Sequence, residues 1–275
     1  MLTTREIELA ANEVRGAFSI RSVPVDPIAI ANAESIVLLP GDYDNCFDGR
    51  IEFRGNGPTG RFYLLYAQEQ PGLRPYSRVR FSLAHELGHY YLPEHREYLL
   101  TGHRHGSKAG FVSEKPMERE ADIFAAHLLM PTDFFSEHVA RMSGRVCNLR
   151  NLSNLADVVF KTSLISTVIR YVQLDFEPCA AVVSRNSAVL YSVCSESFRI
   201  RGLGYMPKGS RLPSSSVTTK AVGASEVGRT PEFGAAISSG EWYSSRRAQE
   251  LWEECRILGE TGLVITLLAT YNPNF

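Results

Sequence analysis

Paired cysteine is missing from this chain. Cys46, Cys147, Cys179, Cys194 and Cys255 are odd in number and scattered, with no C-x-x-C among them. That excludes a disulfide framework and a cysteine zinc site, and it fits a reducing compartment. Long apolar runs are missing too: none reaches membrane-spanning length, and the opening MLTTREIELAANEVRGAF lacks the apolar stretch of a signal peptide. The expectation is a cytoplasmic protein with no membrane partner. Neither charge dominates, the net value being −1, so no global basic field points to nucleic acid. Internal repeats and a glycine-rich phosphate loop are also absent.

What is present is an ordinary globular composition, 44% hydrophobic and 21% charged over 275 residues, enough for one large core or a few small ones. The functional signal lies between Arg78 and Pro131. It begins with His85-Glu86-Leu87-Gly88-His89, the H-E-x-x-H pattern.

On a helix, histidines four apart stand one turn above each other and can turn their imidazoles to a single metal ion. Glu86, beside the first ligand, is placed to take a proton from a water whose pKa the ion lowers to about 7. This is the chemistry of amide hydrolysis. Val79, Phe81, Leu83, Ala84 and Leu87 supply the apolar positions of such a helix, with Ser82 as its expected N-cap. Gly88 costs about 1 kcal/mol relative to alanine in a helix interior. Its presence there predicts close approach of another backbone.

A hydrolytic zinc site needs a third protein ligand and an open fourth position. His95 stands at the third histidine of the extended pattern H-E-x-x-H-x-x-G-x-x-H, although Leu92 occupies its glycine place. The alternative is a carboxylate on a following helix. Met117 to Met130 has the helical pattern, with Met117, Ala121, Phe124, Ala125, Leu128 and Leu129 on one face and Pro131 ending it. At about 100° per residue, Glu118 and Asp122 share one edge of that face and Glu120 flanks the other. Glu118 as ligand with Asp122 as acceptor for the second ring nitrogen of a ligand histidine suits this edge. Glu120 and His95 remain its rivals.

H-E-L-G-H followed by E-R-E-A-D-x-F-A-A-x-L-L-M-P, with Arg80-Phe81-Ser82-Leu83-Ala84 as lead-in, resembles the ImmA/IrrE family of zinc metallopeptidases. The resemblance implies His85, His89 and Glu118 as zinc ligands and Glu86 as the catalytic glutamate. It also implies a bacterial or phage-borne regulator, since several members cleave a helix-turn-helix repressor and so switch on a stress response or a mobile element. The competing expectation is a non-proteolytic regulator that binds a repressor or DNA and whose zinc site is structural or vestigial.

Around this stretch the expected fold is α+β. A zincin-like metallopeptidase domain is expected over 1–138, a helix-turn-helix-like helical module over 139–176, and a C-terminal α+β regulatory or partner-binding domain over 177–275. Thr4 to Phe18 reads as an amphipathic helix capped by Thr3 or Thr4, and Ile28 to Ala33 as a short second helix behind Asp26. Ser35 to Leu39, Gly49 to Phe53 and Phe62 to Ala67 read as a small antiparallel sheet, whose edge would bind a substrate backbone. Tyr90 to Pro116, with His95, His103 and His105, reads as a loop.

Asn151 to Leu174 carries two short helical patterns around Lys161-Thr162-Ser163. Were it to read DNA, Ser163, Ser166, Thr167, Arg170 and Gln173 would face the groove, with little positive charge to help. Cys179 to Ser195 reads as a hairpin turning at Arg185-Asn186-Ser187, and Gly262 to Thr270 as a late strand. Lys208 to Gly240 reads as long loops, Glu241 to Glu254 as helical or mixed, and Trp242 and Trp252 as core anchors.

Overall fold

The computed structural model describes residues 1–44, 46–55, 59–70, 74–103, 105–107, 115–142, 148–224, 232–243, 248–259 and 262–270. Helices and sheets are mixed in an α+β arrangement, and two compact units are formed. The first comprises 1–138 with 156–163, the second 139–155 with 164–275.

In the first unit α1 (Thr4–Ala17) starts at a capping box in which Thr3 and Glu6 satisfy each other's backbone amides. It buries Ile7, Ala11 and Val14 and leaves Leu9 53% exposed. In α2 (Pro27–Ala33) the Asp26 side chain accepts from Ile28 N–H, and proline fills the first turn.

Four strands follow: β1 (Val37–Gly41), β2 (Gly49–Arg54), β3 (Arg61–Ala67) and β4 (His105–Ser107), in the order β1-β3-β2-β4. β2 pairs antiparallel with both neighbours, but β1 runs parallel to β3, from Val37 opposite Tyr63 to Gly41 opposite Ala67. The sheet is therefore mixed, not antiparallel. Side-chain alternation is the same in both kinds of ladder, so the strand pattern carries no direction.

The metal-motif helix α3 (Tyr76–Tyr91) begins earlier than expected. Pro75 precedes it, and Ser82 is buried in its second turn instead of capping it. The chain then turns at Leu92 into α4 (Pro93–Leu100), where a loop was expected; proline opens this helix, and His95 and Leu99 are its buried positions. Residues 104 and 108–114 of the expected loop lie outside the described residues. α5 (Pro116–Leu129) and α6 (Thr132–Arg141) complete this part.

Gly88 explains itself here. A Cβ on it would lie 3.1 Å from the Cα of Ala121, so α3 and α5 meet backbone to backbone, as the mid-helix glycine predicted.

A π-helical turn (Leu155–Phe160) returns the chain to this unit, where Phe160 stacks on Phe135 with centroids 5.2 Å apart. Lys161 follows in the left-handed region at φ 54°. Buried Arg80 on α3 donates to the carbonyls of Val25, Phe160 and Lys161, which satisfies both a guanidinium and the end of the turn.

In the second unit α7 (Leu149–Asn154) and α8 (Leu164–Gln173) are the two short helices the sequence suggested. The span 139–176 is not one packing body, because Ala156, Phe160 and Thr162 bury with the first unit. Thr167 and Arg170, which a DNA-reading face would present, are buried.

The sheet comprises β5 (Cys179–Arg185), β6 (Ala188–Cys194), β7 (Glu232–Ser238), β8 (Glu250–Leu258) and β9 (Leu263–Thr270), in the order β6-β5-β9-β8-β7 with every neighbour antiparallel. The first hairpin turns at Asn186 and Ser187, both at positive φ. Short helices α9 (Glu196–Ile200), α10 (Val217–Ala224) and α11 (Ser239–Trp242) connect the strands. Thus Lys208 to Gly240 contains a helix and a strand as well as loops, with 225–231 outside the described residues.

Ala180, Val182, Val189, Phe198, Leu203, Trp242, Leu251 and Leu268 form one core of this unit. Trp242 anchors it as expected. Trp252 instead lies 37% exposed with its ring over Gly234, where a Cβ would come within 2.9 Å of it. No single helix among the described residues is long and apolar enough to cross a membrane.

Candidate metal centre

Two helices build the site because each carries its polar residues on the face that meets the other. On α3, His85, Glu86 and His89 are all buried. On α5, Glu118 and Asp122 stand one turn apart and both reach His85. Gly88 and Ala121 supply the close approach that makes those reaches short.

The ligand atoms of His85, His89 and Glu118 lie within 4.8 Å of one another. The two Nε2 atoms are 3.2 Å apart, and the Glu118 carboxylate oxygens lie 3.6 Å from the first and 3.4 Å from the second. Metal–nitrogen and metal–oxygen distances of about 2.0–2.1 Å in a tetrahedron put neighbouring ligand atoms about 3.3 Å apart. The donor set and its spacing therefore fit a divalent cation of the zinc type. Two imidazoles and one carboxylate leave one tetrahedral position open.

His85 Nδ1–H donates to Asp122 Oδ1 at 2.8 Å, so Nε2 is the nitrogen turned to the centre and the one that releases its proton when a cation binds. Burial works against a charge on this ring. The bonds to Asp122 and Glu118 and the charges of Glu86 and Asp122 outweigh it and raise the His85 pKa to about 10. That negative surround favours a cation at Nε2.

Glu86 is fully buried, and Gly49 at the start of β2 backs onto it. A Cβ at Gly49 would lie 2.9 Å from both Cγ and Oε1 of the glutamate. Asp48 holds that contact in place: its Oδ1 accepts from Arg74 Nε at 3.2 Å and its Oδ2 from Arg78 Nη2 on α3 at 2.7 Å. These residues were not anticipated. Their signal is a pairing between positions some 30 apart that composition and periodicity do not carry.

The two rivals for the third ligand are both close by, and the structure places them behind His89. His95 Nδ1 is 3.0 Å from His89 Nδ1, and its Nε2 is 2.9 Å from Glu120 Oε2. Glu120 Oε1 accepts from the backbone N–H of Leu2 at 2.9 Å. Burial holds the His95 pKa below the ordinary histidine value, against the pull of Glu120. His103 stands apart, stacked on Tyr98 and bonded to Thr101. On the far side of α3, Glu34 accepts from both Tyr90 and Tyr91 hydroxyls at 2.7 and 3.0 Å and anchors the end of the helix.

A buried pair of histidines one turn apart with a facing carboxylate and an adjacent glutamate could hold a metal ion with an acid beside it. Residues 73–153 match the family model described as the IrrE N-terminal-like domain, Peptidase_M78. Over that segment the chain is similar to the ImmA/IrrE type, as the motifs suggested. No curated protein matches the chain.

Proposed function

We propose that the first unit is a zinc-dependent endopeptidase in which His85, His89 and Glu118 hold the ion, Glu86 is the general base and acid, and Asp122 orients His85. The convergence of both Nε2 atoms and the Glu118 carboxylate beside a buried Glu86 carries this reading.

Zinc held there would supply Lewis acidity, bringing the pKa of a water at the open position near about 7 and polarising the scissile carbonyl. Glu86 accepts the proton as the water oxygen bonds to the carbonyl carbon. It then delivers that proton to the amide nitrogen as the C–N bond breaks and the amine leaves. Gly49 lets the carboxylate sit against β2, and burial removes competing water from it.

The substrate proposed is a protein, with a helix-turn-helix transcriptional repressor supported by the family resemblance. Purified wild type and Glu86→Gln, each incubated with helix-turn-helix repressors, test the assignment by mass spectrometry of the products and by metal analysis. Glu86→Gln is expected to keep about one zinc per chain and to lose cleavage. Persistence of repressor inactivation in Glu86→Gln would establish the non-proteolytic regulator instead.

A further inference from the structure

Behind the proposed ligands His85 and His89 stand Asp122, His95 and Glu120. His85 leans directly on Asp122. His89 stands one turn further along α3, and its Nδ1 is reached by another route. That nitrogen meets His95 of α4, and His95 meets Glu120. Glu120 is two residues from Asp122, on the opposite edge of α5, so a helix turn after Leu92 brings in an imidazole to bridge the gap.

We propose that Glu120 and His95 are a positioning pair for His89, fixing which of its ring nitrogens carries the proton. This inference rests on the zinc-site reading above. A carboxylate only accepts, so His95 Nε2 carries the hydrogen that lies toward Glu120 Oε2. A neutral imidazole has one N–H, so His95 Nδ1 offers a lone pair to His89 Nδ1 at 3.0 Å. The hydrogen of that contact belongs to His89. Its Nε2 is then bare and turned toward Glu118, 3.4 Å away.

Each ligand histidine has its Nδ1 engaged, that of His85 by a carboxylate and that of His89 by an imidazole that leans on a carboxylate. The Leu2 amide on Glu120 Oε1 keeps the far end of the relay from swinging away. His95 and Glu120 touch neither substrate nor metal in this scheme. They act through His89.

The test uses full-length protein and two readouts. Ring-nitrogen NMR of the metal-free protein reads the His89 tautomer, and competition with a chromophoric chelator reads zinc affinity. The wild type is expected to show His89 protonated on Nδ1. His95→Ala and Glu120→Leu are each expected to mix the tautomers and weaken zinc about 10- to 100-fold. The double variant should bind no more weakly than His95→Ala, because Glu120 works only through His95. Glu120→Gln retains an acceptor for His95 Nε2–H and is expected to rescue affinity to within a few-fold of wild type, which also guards against a variant that misfolds.

Losses that add in the double variant, or a wild-type His89 protonated on Nε2, would overturn the relay. So would zinc lost in His95→Ala but kept in Glu118→Ala. A wild type that binds no zinc would sink the peptidase reading, while the His89 tautomer would still decide this one.

Discussion

Glu118 in the first unit and Glu253 in the second are both acids inside the fold, yet their partners differ in kind. Glu253 on β8 is fully buried and accepts from Thr218 N–H at 2.8 Å, Thr218 hydroxyl at 2.6 Å and Trp242 Nε1–H at 3.2 Å. Each of those donors brings its own hydrogen, so the acid closes the start of α10 and the site is complete. Glu118 faces the Nε2 atoms of both imidazoles, and Asp122 turns that of His85 to the centre. Two imidazoles and a carboxylate at ligand spacing favour a cation among them. An acid inside the fold thus takes its role from its neighbours, hydroxyl, amide and indole donors that complete it or metal-ligating groups that share it.

Three substitutions bear on this contrast. Glu118→Ala is expected to weaken zinc by roughly a thousandfold, one ligand's share of the metal's binding energy, and to leave the urea midpoint of the metal-free protein near that of wild type. Isothermal titration with zinc measures the first and tyrosine and tryptophan fluorescence the second. Unchanged zinc affinity would remove Glu118 from the ligand set.

Next in size, Glu253→Ala strips a buried amide and an indole N–H of their acceptor and is expected to cost about 2–4 kcal/mol of stability. Zinc affinity should not move. Loss of zinc with stability would mean that the second unit's acid and the metal centre are coupled.

The smallest effect is expected for Gly49→Ala, whose new methyl meets Glu86 at 2.9 Å and displaces its carboxylate. Turnover on a cleaved repressor should fall about 10- to 100-fold with zinc retained. An unchanged rate would show that Glu86 need not rest against β2.

Much of this site was legible because its chemistry is local. The spacing of His85 and His89, the edge shared by Glu118 and Asp122, and the backbone contact at Gly88 all follow from the geometry of one helix, and the structure has each of them. The caps at Thr3 and Asp26 were legible for the same reason.

What failed depends on distant partners. His95 read as a loop histidine because its burial is created by α5, which lies well downstream. The direction of β1 depends on how the chain connects it to β3 by way of β2, and alternation is silent about that. Trp252 read as a core anchor from its size alone, whereas strand alternation turns it to the half-covered face above Gly234. In α10, threonine and glycine carry little helical signal, and Glu253 supplies from another strand the acceptor its first turn needs.

Arg80 has a consequence for how this protein can be divided. The unit that carries the metal motif is written in two instalments, 1–138 and 156–163, and the guanidinium on α3 is satisfied largely by the second. A fragment stopping at 138 would retain the whole H-E-x-x-H helix and all three proposed ligands while leaving Arg80 only the Val25 carbonyl of its three acceptors and baring the face of Phe135. A fragment meant to keep the first unit whole therefore extends through Ser163, and the boundary of the metal motif is not the boundary of its fold.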